Sequence, residues 1–248
     1  MSNLQDPSNL DRQQELDKLF QNAPIDTEMM VELPSKGKFY KGFIGVKVVP
    51  LLFEDEQKIL FSKRKNSDPT NEILAKCVQG INIRDLLEMD KLHLLLKIKE
   101  ISYGPDYNFS VICPNCETNT DVTIDVSKHI QVNYVPDDLL DPREIDLPVL
   151  KVKCVVRFPR VSEESYFADV DTAIKNLYRF IISLDGKEDP VFIAKAVQKM
   201  HIRDLKTITK EVHRSEFGAD PSFQFECPKC KHLAVMGVPL DSRFFSLS

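Results

Sequence analysis

The chain has 248 residues, a formal net charge of -5 and 42% hydrophobic residues, enough to bury a core in one or two domains. That charge argues against a DNA-coating protein, and the 8 glycines form neither a GxGxxG nor a GxxxxGK[ST] phosphate loop. No apolar run reaches the roughly 18 residues of a membrane span, and the polar start MSNLQDPSNLDRQQELDKLF lacks a signal-peptide stretch. The expectation is a soluble protein in a reducing cytoplasm, where close cysteine pairs hold metal more often than they form disulfides.

Residues 1–30 read as a polar segment with one apolar stripe, Leu16, Leu19 and Phe20, either a tail or a segment that folds onto a partner. The β-branched run Val46-Lys47-Val48-Val49 predicts a short strand. Phe53-Glu54-Asp55-Glu56 predicts a helix start, because carboxylates suit the positive end of a helix. The basic run at 62–65 reads as a solvated helix end. A helix follows over AKCVQ, and another begins near Asp85 with that aspartate as N-cap. Its run of leucines and isoleucines through Ile101 predicts burial on much of its surface. His93, within that run, reads as core filler. Tyr107, Phe109 and Val111 alternate before Cys113, and Val122, Ile124 and Val126 alternate after Cys116, which predicts a β-hairpin.

Three prolines and five acids between Val135 and Pro148 predict a connector. Beyond it, Val152–Val156 reads as a strand and Ser162-Glu163-Glu164 as a helix start. A helix is expected over 171–183 from Ile174, Leu177, Tyr178, Ile181 and Ile182. Then come the AKAVQ helix, a short polar helix from Asp204, and a second hairpin carrying Phe223 and Phe225 before Cys227. The terminal Phe244 and Phe245 are expected to pack back on the domain.

The order of these elements repeats. Residues 75–86 (AKCVQGINIRDL) and 194–205 (AKAVQKMHIRDL) are identical at eight of twelve positions, and 103–116 and 217–230 at six of fourteen. The first pair is displaced by 119 positions and the second by 114, as from Cys113 to Cys227. The predicted fold is therefore α+β. It consists of two degenerate repeats, 31–130 and 150–248, each a short strand, several helices and a zinc-knuckle β-hairpin, joined by a connector at 131–149. Ile83 and Leu86 are expected at the same buried places as Ile202 and Leu205, with helix throughout both AKxVQ segments.

Cys113-Pro114-Asn115-Cys116 and Cys227-Pro228-Lys229-Cys230 have the form C-P-x-C. Two thiolates two residues apart bind one zinc from a tight turn, and two such turns complete a tetrahedral four-sulfur shell. One pair alone also fits a redox dithiol, and both could be relics of an older site. Knuckle turns favour a glycine with positive φ after the second cysteine, whereas this chain has Glu117 and Lys231. The reading is one structural zinc per chain on Cys113, Cys116, Cys227 and Cys230, with His232 as a possible substitute ligand that more simply faces solvent. Cys77 and Cys154 read as small buried residues.

Metalloprotease, nucleophile-elbow, EF-hand and kinase signatures are all absent, so no catalytic constellation is legible. One stretch is more specific than composition. Leu33-Pro34-Ser35-Lys36-Gly37-Lys38-Phe39-Tyr40 precedes the first strand, and Gly80-Ile81, Asp85-Leu86, Tyr103-Gly104 and Cys113-Pro114-Asn115-Cys116 follow in order. This order resembles the T4-type bacteriophage baseplate protein family of hub components and hub assembly factors, over roughly residues 33–126 with a degenerate second copy to about 240. The resemblance implies a non-enzymatic factor that binds other baseplate hub proteins. It would act in the host cytoplasm during tail assembly or in the virion baseplate, without nucleic acid. The alternative from the residues is a zinc-ribbon regulator of nucleic acid, which needs a basic face and exposed aromatics near the knuckles.

Overall fold

A computed structural model describes residues 28–60, 69–239 and 242–245, with 14, 15 and 18 besides. The stripe of Leu16, Leu19 and Phe20 and the basic run at 62–65 lie outside the described residues. Among the described residues no helix is long and apolar enough to cross a membrane.

The architecture is α+β, with helices packed around several small antiparallel sheets. In the first half, β1 (Met29–Val31), β2 (Val46–Val48) and β3 (Val78–Gln79) form one sheet with β2 in the centre. Helices α1 (Phe53–Leu60) and α2 (Pro69–Cys77) lie between β2 and β3. The first turn of α1 carries Glu54, Asp55 and Glu56, as expected from the helix dipole. A 3-10 turn, Ile83–Asp85, leads to α3 (Glu88–Tyr103). This helix buries Leu94, Leu95, Leu96, Ile98 and His93. The hairpin of β4 (Asp106–Ile112) and β5 (Asn119–Asp125) follows. A single turn, α4 (Val126–His129), then leads to β6 (Gln131–Asn133).

In the second half, β7 (Arg143–Asp146), β8 (Lys153–Val156) and β9 (Ile181–Leu184) form a second antiparallel sheet, again with the middle strand in the centre. Between β8 and β9 run the 3-10 segment Val161–Phe167, α5 (Val170–Asn176) and the 3-10 segment Leu177–Phe180. Helices α6 (Pro190–Lys199) and α7 (Ile202–Val212) come next. Strand β10 (Gly218–Asp220) pairs with β6 of the first half. The hairpin of β11 (Ser222–Glu226) and β12 (Leu233–Gly237) and a 3-10 turn, Ser242–Phe245, are the last described elements.

The main core gathers residues from the first half together with Phe223, Phe225, Phe244 and Phe245 of the second, so the second hairpin and the Phe244-Phe245 pair pack on the first half. Phe244 meets Tyr107 edge-on at 5.0 Å, and the Tyr103 hydroxyl donates to the Phe245 carbonyl at 3.1 Å. A separate cluster of Leu147, Cys154, Phe180, Ile193, Ile208 and their neighbours fills the second half. Leu87, Val135, Leu139, Phe158 and Phe217 form a third cluster. Cys77 and Cys154 are fully buried in these cores, as read from sequence.

Several expectations are overturned. The helix expected over 171–183 breaks at Asn176, and Ile181 and Ile182 lie in strand β9, paired to β8. Ile181 pairs with Val156 and Leu184 with Cys154 across a register shift at Val155/Val156, which buries both although they stand three residues apart, a spacing that reads as a helix stripe in the sequence. The stretch read as a connector contains β7, an edge strand with Pro142 just before it and Pro148 just after, where proline costs no ladder bond. In the first AKxVQ segment Val78 and Gln79 are strand, whereas the second stays helical to Lys199. Asp85 does not cap a helix: α3 starts after Leu87, which makes no side-chain cap bond. Nor does Asp204, since the cap of α7 is His201, whose Nδ1 accepts from the Arg203 N–H. Ile83 is half-buried while its counterpart Ile202 is 66% exposed, and Leu86 is fully buried while Leu205 is only half-buried, so those two blocks do not occupy matching places.

A different correspondence holds at the displacement of 114. Each first-half landmark has a second-half counterpart: Leu33-Pro34 and Leu147-Pro148, Asp90 and Asp204, Leu94 and Ile208, Ile98 and Val212, Cys113 and Cys227. All of these counterparts except the prolines are almost wholly buried. Asp90 and Asp204 are each the third residue of their helix. Asp90 accepts from the Ser35 N–H at 2.9 Å, and Asp204 from the Val149 and Leu150 N–H groups at 2.8 and 3.1 Å.

Candidate metal centre

Each C-P-x-C sequence occupies the turn of a hairpin. The Cys113 N–H donates to the Thr118 carbonyl at 3.0 Å and the Glu117 N–H to the Cys113 carbonyl at 2.9 Å. In the second turn the Cys227 N–H donates to the His232 carbonyl and the Lys231 N–H to the Cys227 carbonyl, both at 2.9 Å. Glu117 and Lys231 carry φ values of 56° and 60°, the left-handed conformation that the missing glycines had suggested. The two turns thus have one geometry despite different residues at that position.

The hairpins meet through their apolar faces. Tyr107, Phe109 and Val111 of β4 and Phe223 and Phe225 of β11 are all buried, and Phe109 meets Phe223 edge-on at 5.4 Å. That packing brings the four sulfurs together, all within 4.8 Å of one another. Cys113 Sγ lies 3.7 Å from Cys230 Sγ, and Cys116 Sγ lies 3.7 Å from Cys227 Sγ. A tetrahedral ion with metal–sulfur bonds of about 2.3 Å requires sulfur–sulfur edges of about 3.8 Å. The donor set therefore fits a tetrahedral four-thiolate metal ion, with every coordination position supplied by protein. Such a shell has no open place for water or substrate.

The surroundings favour thiolates on the outer cysteines. Cys113 and Cys227 are fully buried, whereas Cys116 and Cys230 are partly exposed. Hydrogen bonding with the Thr118 hydroxyl, 3.2 Å away, lowers the Cys116 thiol to about 6. The Asn115 Nδ2 group donates to Cys230 Sγ across the two hairpins at 3.6 Å and lowers that thiol as well. Burial pushes Cys113 up to about 11. Bound metal would offset that rise with its own positive charge. Asn115 and Thr118 were not singled out in the sequence. The one available signal was asymmetry, since the middle knuckle position is Asn115 in one turn and Lys229 in the other. His232 is exposed and stands outside the cysteine group.

A protein-family model described as "T4 bacteriophage base plate protein" matches residues 26–242, most of the chain. No curated protein and no solved structure matches.

Proposed function

The chain belongs to the T4 bacteriophage base plate protein family, and from that premise we propose that it is a non-enzymatic morphogenesis protein that promotes assembly of the baseplate hub of a contractile tail by binding other hub proteins. The observation that carries this reading is the family match along most of the chain. Two structural features support it. The cysteine group has no open coordination position, so a metal there would staple rather than react. The aromatics beside the knuckles, Phe109, Phe223 and Phe225, are buried, which leaves no stacking platform for the alternative of a nucleic-acid regulator.

The same reading assigns one zinc to Cys113, Cys116, Cys227 and Cys230. It takes 31–130 and 150–248 as descendants of one duplicated unit, with the segment before residue 31 as a separate extension. The support for duplication is the shared displacement of 114 at the Leu-Pro turns, the buried aspartates and the knuckles. The protein would act in the host cytoplasm during assembly and in the baseplate itself if it stays bound. A phage lacking this chain is expected to accumulate unassembled hub components and to make no infectious tails. Normal baseplates from such a phage would refute the assignment, as would turnover of peptidoglycan or nucleotides by the purified protein at enzymatic rates.

A further inference from the structure

We propose that the outward faces of α6 and α7 form a docking surface for a partner protein that presents an acidic face with apolar insets; this names the partner chemistry of the assembly role above and rests on it. Both helices are amphipathic. Helix α6 turns Ile193 and Val197 inward, and α7 turns Asp204, Ile208 and Val212 inward. The outward side of α6 carries Lys195 and Lys199, one helical turn apart. The outward side of α7 carries Arg203, Lys206 and Lys210, which at 100° per residue fall within an arc of about 60°. All five cations are exposed, and none has a carboxylate partner among the described residues.

Some exposed lysines elsewhere sit beside acids, as in Lys58 with Glu54 and Lys175 with Asp171, while others, such as Lys41, Lys151 and Lys229, stand without one among the described residues. What sets the helix pair apart is its shortage of acids of its own. The only carboxylate between residues 190 and 210 is Asp204, which is buried and engaged with the Val149 and Leu150 N–H groups. The chain as a whole is at -5, so removing these five cations leaves the remainder at -10. Five exposed, unpaired cations thus share one helix pair of an acidic protein, which sets up electrostatic complementarity with an acidic partner.

The apolar neighbours decide which polyanion fits. Val191 is 61% exposed, Ile202 is 66% exposed, and Phe192 is also exposed with Lys187 Nζ 4.5 Å from its ring centre. A phosphate backbone offers nothing to cover these groups, and the strongly negative remainder of the chain repels a long polyanion. A protein face with carboxylates around a few apolar side chains satisfies both kinds of group, with Arg203 and Phe192 of the residue types that anchor interfaces.

The test uses the full chain, purified with its partners from phage-infected cells and treated with a zero-length carbodiimide, which joins lysine amines to carboxylates in contact. Lys91 with Glu164 at 2.8 Å and Lys153 with Asp146 at 3.0 Å serve as internal controls. Mass spectrometry is expected to find Lys195, Lys199, Lys206 and Lys210 joined to Asp or Glu of a second phage protein. In a chain carrying Lys195→Glu, Lys199→Glu, Lys206→Glu and Lys210→Glu, recovery of that protein should fall at least tenfold with an unchanged melting temperature, because all four are exposed. The proposal is overturned if the controls join while these four lysines do not. It is equally overturned if they join only to this chain's own carboxylates, in the same or a second copy, or if DNA protects them. A phage that fails without the chain but assembles normally with the four-glutamate variant would sink the docking face and leave the assembly role standing. Normal tails in the complete absence of the chain would instead remove the assembly role.

Discussion

A buried carboxylate is costly unless its oxygens are hydrogen-bonded, and Asp90 and Asp204 meet that condition in the same way, by accepting backbone N–H groups from a Leu-Pro turn. Asp90 also accepts the Tyr40 hydroxyl at 2.5 Å, and that hydroxyl accepts the Leu87 N–H at 3.0 Å. Burial raises the Asp90 carboxyl above its ordinary range, while the bonds from Ser35 and Tyr40 pull it back. Asp90→Ala strands two donors, and bonds to charged groups are each worth about 1.5–3 kcal/mol. A loss of about 3 kcal/mol or more is expected in urea unfolding of the metal-loaded protein. Asp85→Ala removes an exposed side chain that, among the described residues, bonds to Asn82 alone, and should cost about 0.5 kcal/mol or less. Equal losses would show that Asp90 does not organise its turn. In the sequence the recurring IRDL string pairs Asp204 with Asp85 rather than with Asp90. The partners that distinguish the two lie 55 residues from Asp90 and 55 and 54 from Asp204, beyond any local pattern.

Elements governed by a short period were legible in the sequence. Tyr107, Phe109 and Val111 alternate inward in β4, and Phe223 and Phe225 in β11, because period 2 follows from the strand backbone itself. The spacing of the cysteines revealed the knuckles for the same reason. Residues 171–183 were not legible, since Leu177, Ile181 and Ile182 satisfy a helical stripe on paper. Pairing with β8 and burial of Ile181 and Leu184 decide the outcome instead. The knuckles carry a prediction of their own. A non-glycine residue in the left-handed region costs about 1–2 kcal/mol, while glycine in the unfolded chain gains entropy that offsets part of the relief. Lys231→Gly is therefore expected to stabilise the metal-loaded protein by about 0.5–1 kcal/mol, and Lys231→Val to destabilise it by about 1 kcal/mol or more. Thermal unfolding of the three proteins side by side gives the order. Valine equal to lysine would show that the turn tolerates β-branched residues and that its positive φ stores no strain.

At the scale of the molecule, the cysteine group joins segments far apart in sequence. Cys113 and Cys227 are separated by 114 positions, and the two hairpins that carry them also share the Phe109–Phe223 contact and the core beneath. A cross-link closing a loop of about 100 residues is worth about 4–5 kcal/mol through the lost entropy of the unfolded chain, and a metal ion closing the same loop acts on that ensemble in the same way. For a protein of this size each kcal/mol moves the melting temperature by about 2–4 °C, so removing the ion should lower it by about 10–20 °C. The aromatic contacts between the hairpins do not depend on metal, so chelated protein is expected to keep its secondary structure at low temperature while losing that margin. The measurement is a melting curve before and after treatment with a strong chelator under reducing conditions, beside elemental analysis that should give one equivalent of zinc per chain. Cys227→Ser should melt near the chelated protein and gain nothing from added zinc. Metal-free protein with an unchanged melting temperature would refute the staple, because the four sulfurs would then lie together for the sake of the hairpin packing alone.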